Sequence, residues 1–172
     1  VAAIGAASRH GALIKGGAAV EELGRIKVVA LDKTGTLTRN QPRVVEVVTI
    51  DDLSDADALR WAAALEARSE HPLAQAILTA AGEAPAAGDV TAVPGHGLHG
   101  DLNGHRLRLG KPSWVAPGPL AADVERMQGA GSTVVVLARD DQPLAAIAVR
   151  DELRPEAAET VGMLTRLGIT VA

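Results

Sequence analysis

A short apolar run that ends in a carboxylate constrains the fold of this chain more than any other feature. Ile26–Leu31 is apolar apart from Lys27, and Asp32 follows it directly. Such a run is typical of a strand that is buried on both faces of a parallel sheet. The next residues, Lys33–Thr38, contain one Gly and three Thr and indicate a turn. The sequence therefore predicts an α/β fold with a turn at the carboxyl end of a strand, where open α/β sheets bind ligands.

The rest of the chain shows two kinds of pattern. Residues 144–172 predict a strand, a helix over Pro155–Leu167 that ends at Gly168, and the beginning of another strand. The residues before them predict short strands, and Asn103-Gly104 is a strong hairpin signal. We therefore expect an α/β domain that is interrupted by an α+β insertion with an antiparallel sheet.

Two helices are predicted within the insertion. Ser54 and Asp57 form a capping box, and the helix that follows is expected to reach about Arg68. Ser69 is expected to cap a second helix that has Pro72 in its first turn. Apolar residues recur at helical spacing in both segments, so each helix is expected to bury one face.

The composition excludes several classes of function. The chain has 172 residues, a formal net charge of −4, no Cys, Phe or Tyr, and two Trp. The absence of Cys excludes disulfides and thiolate metal sites. The acidic balance and the few aromatic side chains argue against binding of nucleic acid. No uncharged apolar run approaches the ~18 residues of a membrane-spanning helix. We therefore expect a soluble region without a nucleic-acid partner, in which Trp61 and Trp114 are packing residues.

The two ends predict a region of a longer protein. Val1–Ser8 is small and apolar, and Arg9, His10 and Lys15 follow it. This pattern fits either the cytosolic end of a membrane-spanning helix or an amphipathic first helix of a globular domain. Gly168–Ala172 predicts a strand that has just started, so we expect a truncated sheet.

Asp32 is the first candidate for chemistry. A carboxylate at a strand end can act as a nucleophile toward a phosphoryl group. The turn after it offers backbone N–H groups, hydroxyl groups and the Lys33 ammonium to phosphate oxygens. A divalent cation would offset the repulsion between Asp32 and a polyphosphate. An aspartate that merely ends a strand is common, but the complete segment Asp-Lys-Thr-Gly-Thr-Leu-Thr is specific.

The segment Asp32–Thr38 resembles the phosphorylation motif of the P-type cation-pumping ATPases. The resemblance implies a haloacid-dehalogenase-like, Rossmann-type phosphorylation domain, interrupted by an α+β nucleotide-binding domain with an antiparallel sheet. It implies that Asp32 accepts the γ-phosphate of ATP and that Asp32 and Thr34 hold Mg²⁺. It also implies that Lys33 and Thr36 contact the phosphate.

The same resemblance implies the domain boundaries. Residues 1–38 are expected to contain the stalk end and the first part of the phosphorylation domain, and residues 39–142 the nucleotide-binding domain. Residues 143–172 are expected to form the truncated second part of the phosphorylation domain. Asp151–Pro155 resembles the segment with which that domain resumes, although an acidic first turn of a helix explains it equally well.

A second motif, Ser69-Glu70-His71-Pro72 preceded by Glu66, resembles a motif of the heavy-metal-transporting P-type ATPases. The resemblance implies that Glu66 and His71 contact the adenine side of ATP. A helix N-terminus disfavours the cationic form of His71, and a neutral imidazole can stack on a purine or hydrogen-bond to it. Taken alone, the pattern also describes a Ser-capped helix with an exposed His.

Residues 94–100 contain Gly-x-Gly-x-x-Gly, but a predicted hairpin follows, so this is not a dinucleotide-binding fingerprint. The segment resembles the Gly-x-Gly loop of heavy-metal pumps, in which Gly95 and Gly97 let the backbone approach the nucleotide. The resemblance also assigns Gly110 to the nucleotide site, whereas Lys111 stands where the family often has Asn. Glycines of a plain hairpin turn are the alternative explanation.

Together the resemblances predict the ATP-binding and phosphorylation region of an ATP-driven transition-metal cation pump, an ion-translocating ATP hydrolase. We expect ATP and Mg²⁺ as cofactors and the transmembrane and actuator domains of the same chain as partners. The parent protein is expected in the cell membrane and this region in the cytoplasm. By itself the region is expected to bind nucleotide without catalysis, because the segments that complete the family's Mg²⁺ site lie outside these residues.

Two other interpretations stay open. A haloacid-dehalogenase-type phosphatase with a cap domain also has an Asp nucleophile at a strand end. Such enzymes usually carry a second Asp two residues later as an acid/base group, where this chain has Thr34. A non-enzymatic ATP-binding module would bind ATP through residues 39–142 and would not depend on Asp32.

Overall fold

The computed structural model describes residues 2–50 and 52–172, so Val1 of the predicted opening segment lies outside the described residues. The chain divides into two compact units. Unit 1 consists of Val1–Thr38 and Leu153–Ala172, and unit 2 consists of Arg39–Glu152. Within the described ranges, no helix combines the length and the apolar character needed to cross a membrane.

The described residues form six α-helices and eight strands. The helices are α1 (Ala2–Arg9), α2 (Gly17–Leu23), α3 (Asp55–Glu66), α4 (Pro72–Ala81), α5 (Ala121–Gly129) and α6 (Ala157–Arg166). The strands are β1 (Val28–Val29), β2 (Thr38–Thr49), β3 (Gly88–Val93), β4 (Gly97–Leu102), β5 (His105–Gly110), β6 (Thr133–Arg139), β7 (Gln142–Leu153) and β8 (Thr170–Val171).

The sheet of unit 1 is short and parallel. β1 and β8 pair with Val28 opposite Thr170 and Val29 opposite Val171. The prediction of a strand buried on both faces is wrong in this structure, because Val28 is 60% exposed. An apolar strand is buried on both faces only where other elements cover both sides of its sheet. Among the described residues, this sheet has two strands.

Unit 2 is built on a six-stranded sheet with the order β2-β7-β6-β5-β4-β3. The strand pairs β3–β4, β4–β5, β5–β6 and β6–β7 are antiparallel. Asp140 and Asp141 have φ values of 48° and 66° and close a hairpin that brings β7 back along β6. Residues 143–152, which the sequence analysis assigned to the second part of the phosphorylation domain, therefore lie in the sheet of unit 2. The compact units divide after Glu152 instead of after residue 142.

Two apolar layers cover the two faces of this sheet. Alternate residues of a strand point to opposite faces, so Val135 and Leu137 of β6 join one layer and Val136 joins the other. The layer under α3 and α4 contains the buried residues Leu65, Ile77, Leu107, Leu109, Leu137 and Ile147. The layer under α5 contains Val115, Leu120, Val124, Met127 and Val136. Trp61 packs against the first layer and Trp114 against the second, and both are partly buried.

Several local signals in the sequence are confirmed. Ser54 Oγ accepts a hydrogen bond from Asp57 N at 3.1 Å at the start of α3. Asn103 and Gly104 have φ values of 53° and 81° and join β4 to β5, as a two-residue hairpin requires. Gly168, with a φ of 75°, follows α6. Each of these signals depends on residues within a few positions of one another.

The start of α4 differs from the prediction, because its N-cap is His71 instead of Ser69. Pro72 has no N–H, so the first N–H of the helix that needs an acceptor belongs to Leu73. Leu73 N donates to His71 Nδ1 at 3.1 Å. Ser69 acts one step earlier, where its Oγ accepts a hydrogen bond from His71 N at 3.4 Å.

Replacement of Ser54 by Ala removes the acceptor for the Asp57 N–H. We expect the free energy of unfolding of unit 2 to fall by about 1 kcal/mol, the usual cost of losing a Ser N-cap. Urea unfolding followed by tryptophan fluorescence measures this change, because Trp61 and Trp114 both lie in unit 2. Ser113→Ala, at an exposed turn residue, is the matched control. An equal loss in both variants would contradict the prediction.

Candidate functional site

A cleft of about 370 Å³ opens at one end of the sheet in unit 2. The α3–α4 connection, the β3–β4 turn, the end of β5 and the beginning of β6 border it. The five residues that the sequence analysis assigned to nucleotide binding, Glu66, His71, Gly95, Gly97 and Gly110, all line this one cavity. Its volume lies within the range of small-molecule sites.

Glu66 is the buried acidic group of the cleft. It is the last residue of α3 and is only 7% exposed. Burial raises the pKa of its carboxyl group above the usual value, and a hydrogen bond with Ser69 and the nearby His71 offset only part of this effect. A carboxyl group held out of water is costly unless it gains a partner, and such groups cluster at functional sites. Glu66 is therefore suited to form a hydrogen bond with a ligand.

His71 presents its ring to the cleft from the first turn of α4. Its Nδ1 accepts the hydrogen bond from Leu73 N, so in this geometry Nδ1 carries no proton and the ring N–H is at Nε2. The side chain is exposed, which leaves Nε2 accessible. The helix cap thus orients a hydrogen-bond donor beside the Glu66 carboxyl group.

Backbone conformation favours glycine at one position of the cleft, and close packing favours it at two others. Gly95 has a φ of 75°, and a Cβ there would meet no atom within 4 Å. Gly97 and Gly110 face each other across β4 and β5. A Cβ at Gly97 would collide with Leu109 O, and one at Gly110 would lie 2.6 Å from His96 O. Packing of the two backbones therefore requires glycine at 97 and 110, whatever the cleft binds.

The segment predicted to be phosphorylated lies in unit 1. Asp32 is exposed, and no hydrogen bond or ion pair engages its carboxylate in the described part of the chain. Gly35, with a φ of 78°, donates its N–H to Thr38 Oγ1 at 3.1 Å, which closes the turn that follows Asp32. The other predicted residues of this site, all exposed, are Lys33, Thr34 and Thr36.

Arg154 holds this turn and was missed by the sequence analysis. Its backbone N–H donates to Leu37 O at 2.8 Å. Its guanidinium donates from Nε to Thr38 O at 3.1 Å and from Nη2 to Gly35 O at 3.4 Å. The sequence offered one signal for it, the basic residue within Asp151–Pro155. That signal was not decisive, because an acidic first turn of a helix explained the segment equally well.

Asp151 holds the beginning of β2 in a similar way. Its carboxylate accepts hydrogen bonds from Asn40 N at 3.1 Å and from Gln41 N at 2.9 Å. Asn40 has a φ of 55°, a conformation that needs such support in a residue with a side chain. Arg154 thus holds the backbone of Gly35 and Thr38 in unit 1. Asp151 holds the backbone of Asn40 and Gln41 in unit 2.

Comparison with known proteins decides the family. A model of the haloacid dehalogenase-like hydrolases matches residues 26–172. This chain belongs to the haloacid dehalogenase-like hydrolase family. The predicted α/β fold class, with its antiparallel-sheet insertion, is confirmed by this match and by the sheets described above.

Several relatives of this haloacid dehalogenase-like chain bear the names of metal-transporting ATPases. The probable cation-transporting ATPase G of Mycobacterium tuberculosis is 59% identical over 171 residues, which cover 99% of this chain and 22% of the relative. A crystal structure of a zinc-transporting PIB-type ATPase in its E2·Pi state superposes with a TM-score of 0.84 at 40% identity, over 98% of this chain and 29% of that one. The N-domain of a copper-transporting P-type ATPase superposes with a TM-score of 0.55 at 28% identity, over 64% of this chain and 99% of that one.

These comparisons confirm the resemblance to the heavy-metal-transporting P-type ATPases. The match to the isolated N-domain covers most of that protein and about two thirds of this chain, which is consistent with a separate unit 2. This haloacid dehalogenase-like chain spans 22% of the length of the mycobacterial relative and 29% of the zinc-transporting structure.

Unit 1 contains candidate oxygen ligands for Mg²⁺. Asp32 and Thr34 offer oxygen donors, and Mg²⁺ binds to proteins through one or two carboxylates together with substrate phosphates. Within residues 2–50 and 52–172, no group of three or more His, Cys, Asp or Glu can hold a metal ion. The donor set therefore fits an ion that binds together with a phosphate group, and it does not fit a closed metal site.

Replacement of Glu66 by Gln is expected to stabilise this haloacid dehalogenase-like protein at neutral pH. Because the folded-state pKa of Glu66 is raised, the folded state binds more protons than the unfolded state, and ionisation opposes folding as the pH rises. Glu66→Gln should therefore unfold at higher urea concentration than the wild type at pH 7. The difference should vanish below about pH 4, where the carboxyl group is protonated in both states.

Glu125→Gln, at an exposed position of α5, is the control for the change of net charge. Equal stability of Glu66→Gln and the wild type at pH 7 would show that partners in the cleft compensate the burial of Glu66.

Alanine substitutions at two glycines separate packing from backbone conformation. Gly97→Ala forces the paired strands apart and is expected to cost about 3 kcal/mol of unfolding free energy. Gly95→Ala has open space and is expected to cost about 1–2 kcal/mol for the left-handed conformation. Thermal unfolding of both variants measures the difference. Equal losses would contradict the close approach of β4 and β5.

Proposed function

We propose that this chain is the ATP-binding and phosphorylation region of an ATP-driven transition-metal cation pump. The observation that supports the proposal is the cleft of unit 2, which Glu66, His71, Gly95, Gly97 and Gly110 all line. These residues come from three separate parts of the sequence, so a single local motif does not account for their meeting. The names of the relatives, which include cation and zinc transport, support the same assignment.

In the proposed complex, the purine base of ATP occupies the cleft. Leu98, Leu109 and Val135 offer apolar surface to the faces of the base, and their contact with it removes apolar area from water. Glu66 and the Nε2–H of His71 pair with the polar edge of the base. Because burial already keeps water from the Glu66 carboxyl group, this pairing replaces few hydrogen bonds to solvent.

Asp32 is the proposed acceptor of the γ-phosphate in the intact pump. One of its carboxylate oxygens forms a bond to the γ-phosphorus, the bond from that phosphorus to the bridging oxygen breaks, and ADP leaves with the electron pair. Lys33 and Thr36 bind the phosphate oxygens and hold the γ-phosphorus in line between Asp32 and the leaving oxygen. Asp32 and Thr34 would hold Mg²⁺, which neutralises phosphate charge when it is bound.

We assign the complete reaction cycle to the whole pump and nucleotide binding to this region. The proposed partners are the transmembrane and actuator parts of the same chain. The parent protein is proposed to lie in the cell membrane, with this region on its cytoplasmic side. No nucleic-acid partner is proposed, because the chain is acidic and poor in aromatic residues.

A phosphatase with a cap domain is the alternative enzyme. It requires a second acid two residues after the nucleophile to protonate the leaving group, and this chain has Thr34 at that position. A Thr hydroxyl group is not acidic enough for this role at neutral pH. The pump assignment, in which the aspartyl-phosphate persists, is therefore favoured over the phosphatase.

An ATP titration followed by the backbone amide signals of the chain tests the proposal. We expect the shifts to concentrate at residues 66–71, 95–97 and 110. His71→Asn retains an acceptor for the Leu73 N–H but lacks the ring, and it should weaken ATP binding about tenfold. Asp32→Asn should change the affinity less than about twofold, because Asp32 acts in transfer and not in recognition of the base.

Three results would contradict the proposal. Shifts that map outside the cleft would overturn the nucleotide site. An unchanged affinity of His71→Asn would show that His71 is only a helix cap. A loss of binding in Asp32→Asn would instead place the nucleotide at the segment 32–38.

A further inference from the structure

The two tryptophans of the chain have similar surroundings and different positions relative to the cleft. The guanidinium Cζ of Arg108 lies 5.4 Å from the centroid of the Trp114 ring, and that of Arg139 lies 5.4 Å from the Trp61 ring. Trp61 borders a small cavity at the end of the sheet where β4 ends and β5 begins. The cleft lies at the opposite end of these strands, where Gly97 begins β4 and Gly110 ends β5. The chain thus contains a matched pair of Trp–Arg contacts.

The Trp114 ring lies directly against the paired glycines of the cleft. A Cβ at Gly97 would be 2.9 Å from Trp114 Cζ3, and a Cβ at Gly110 would be 2.5 Å from Trp114 Cε3. Leu98 and Leu109 point to the other face of the sheet, toward α3 and α4. Trp114 therefore contacts the glycine pair from behind, on the face opposite the apolar wall of the cleft.

Backbone hydrogen bonds hold Trp114 in this place. Lys111 N donates to His96 O at 2.9 Å, which joins the end of β5 to the turn before β4. Trp114 N and Val115 N both donate to Lys111 O at 2.9 Å, and Val115 is buried in the layer under α5. The His96 ring also meets the Trp114 ring edge to face, with centroids 6.3 Å apart. The indole is thereby connected to both glycine segments that line the cleft.

Arg108 is a further neighbour of the ring, with its Cζ 5.4 Å from the ring centroid. Its Nη1 lies 3.1 Å from Asp141 Oδ1, and its Nε is buried with no hydrogen-bond partner among the described residues. A planar guanidinium that lies over an indole meets it with its face, while its N–H donors stay in its plane. Both Arg108 and the glycine backbones thus contact the partly buried ring.

We infer that Trp114 is a positioning residue for nucleotide binding: it sets the spacing between the Gly95–Gly97 turn and Gly110. The inference rests on the proposed function of the cleft. A smaller side chain at 114 leaves space behind the glycine pair, and both backbones can move away from the ligand. Such a loss of pre-organisation lowers affinity even where every ligand-contacting residue is retained.

The test compares Trp114→Leu with Trp61→Leu in the complete 172-residue chain. Both variants lose a tryptophan and its contact with an arginine, so both are expected to be less stable. Calorimetric titration with ATP at a fixed Mg²⁺ concentration should give a dissociation constant about fivefold higher or more for Trp114→Leu. For Trp61→Leu it should stay within about twofold of the wild type. Trp114→Phe keeps a ring against the glycines and should recover affinity to within about threefold.

A second measurement applies even if Trp114→Leu does not fold. In Trp61→Phe, Trp114 is the single tryptophan of the chain. Saturating ATP should change its fluorescence, whereas ATP should leave the Trp61 fluorescence of Trp114→Phe unchanged. A Trp114 signal that ignores saturating ATP would overturn the inference.

The failure of this inference and the failure of the proposed function give different results. If the wild type does not bind ATP, or if His71→Asn binds it as well as the wild type, the proposed function fails. If the wild type binds in a His71-dependent way and Trp114→Leu has the same dissociation constant, the role of Trp114 alone is refuted. Equal weakening in Trp114→Leu and Trp61→Leu would also refute it, because a general loss of stability would then explain both.

Discussion

The close approach of two backbones at Gly97 and Gly110 is the contact on which the cleft depends. A side chain at either position would meet backbone oxygen at 2.6 Å or less, so glycine is needed before any ligand binds. This approach brings the β3–β4 turn to the end of β5 and leaves room for the Trp114 ring behind the pair. The α3–α4 connection, held on the layer under those helices, supplies the remaining wall with Glu66 and His71. The proposed recognition of a nucleotide therefore depends on a packing constraint of the sheet.

Glu66 shows what the core contributes to this arrangement. α3 is anchored by several residues that are fully buried, among them Ala58, Ala62 and Ala63. Small side chains let the helix lie close to the sheet, and that closeness carries Glu66 out of water at the last turn. The resulting rise in the carboxyl pKa is a local cost that the packing of the rest of the helix offsets. Sites where a local rule is broken in this way are the places where function is expected.

Short-range signals made much of the fold predictable, and contacts between distant segments made the rest unpredictable. The Asn103-Gly104 turn and the Ser54 cap each depend on neighbouring residues, and both were predicted. The placement of β7 depends on its antiparallel pairing with β6. A pattern of apolar residues alone does not show whether a strand pairs in a parallel or an antiparallel sheet. The same holds for the candidate site. Motif resemblance selected Glu66 and His71. Arg154 bonds to Thr38, 116 positions away in the sequence, so no local pattern revealed it. Trp114 was predicted only as a packing residue, because its contact with Gly97 on another strand is not visible in the sequence.

Asp32 of unit 1 and Glu66 of unit 2 lie in opposite environments, and this difference fits the different roles proposed for them. Asp32 is exposed in a turn whose carbonyl groups Arg154 holds, so its carboxylate is accessible while the backbone beneath it is fixed. A nucleophile toward a phosphate needs that combination of access and a fixed backbone. Glu66 is enclosed, and burial favours its protonated form, which can donate as well as accept a hydrogen bond. An enclosed carboxyl group suits recognition of a base and is poorly placed to attack phosphorus. The two environments thus fit the two roles proposed for these carboxyl groups.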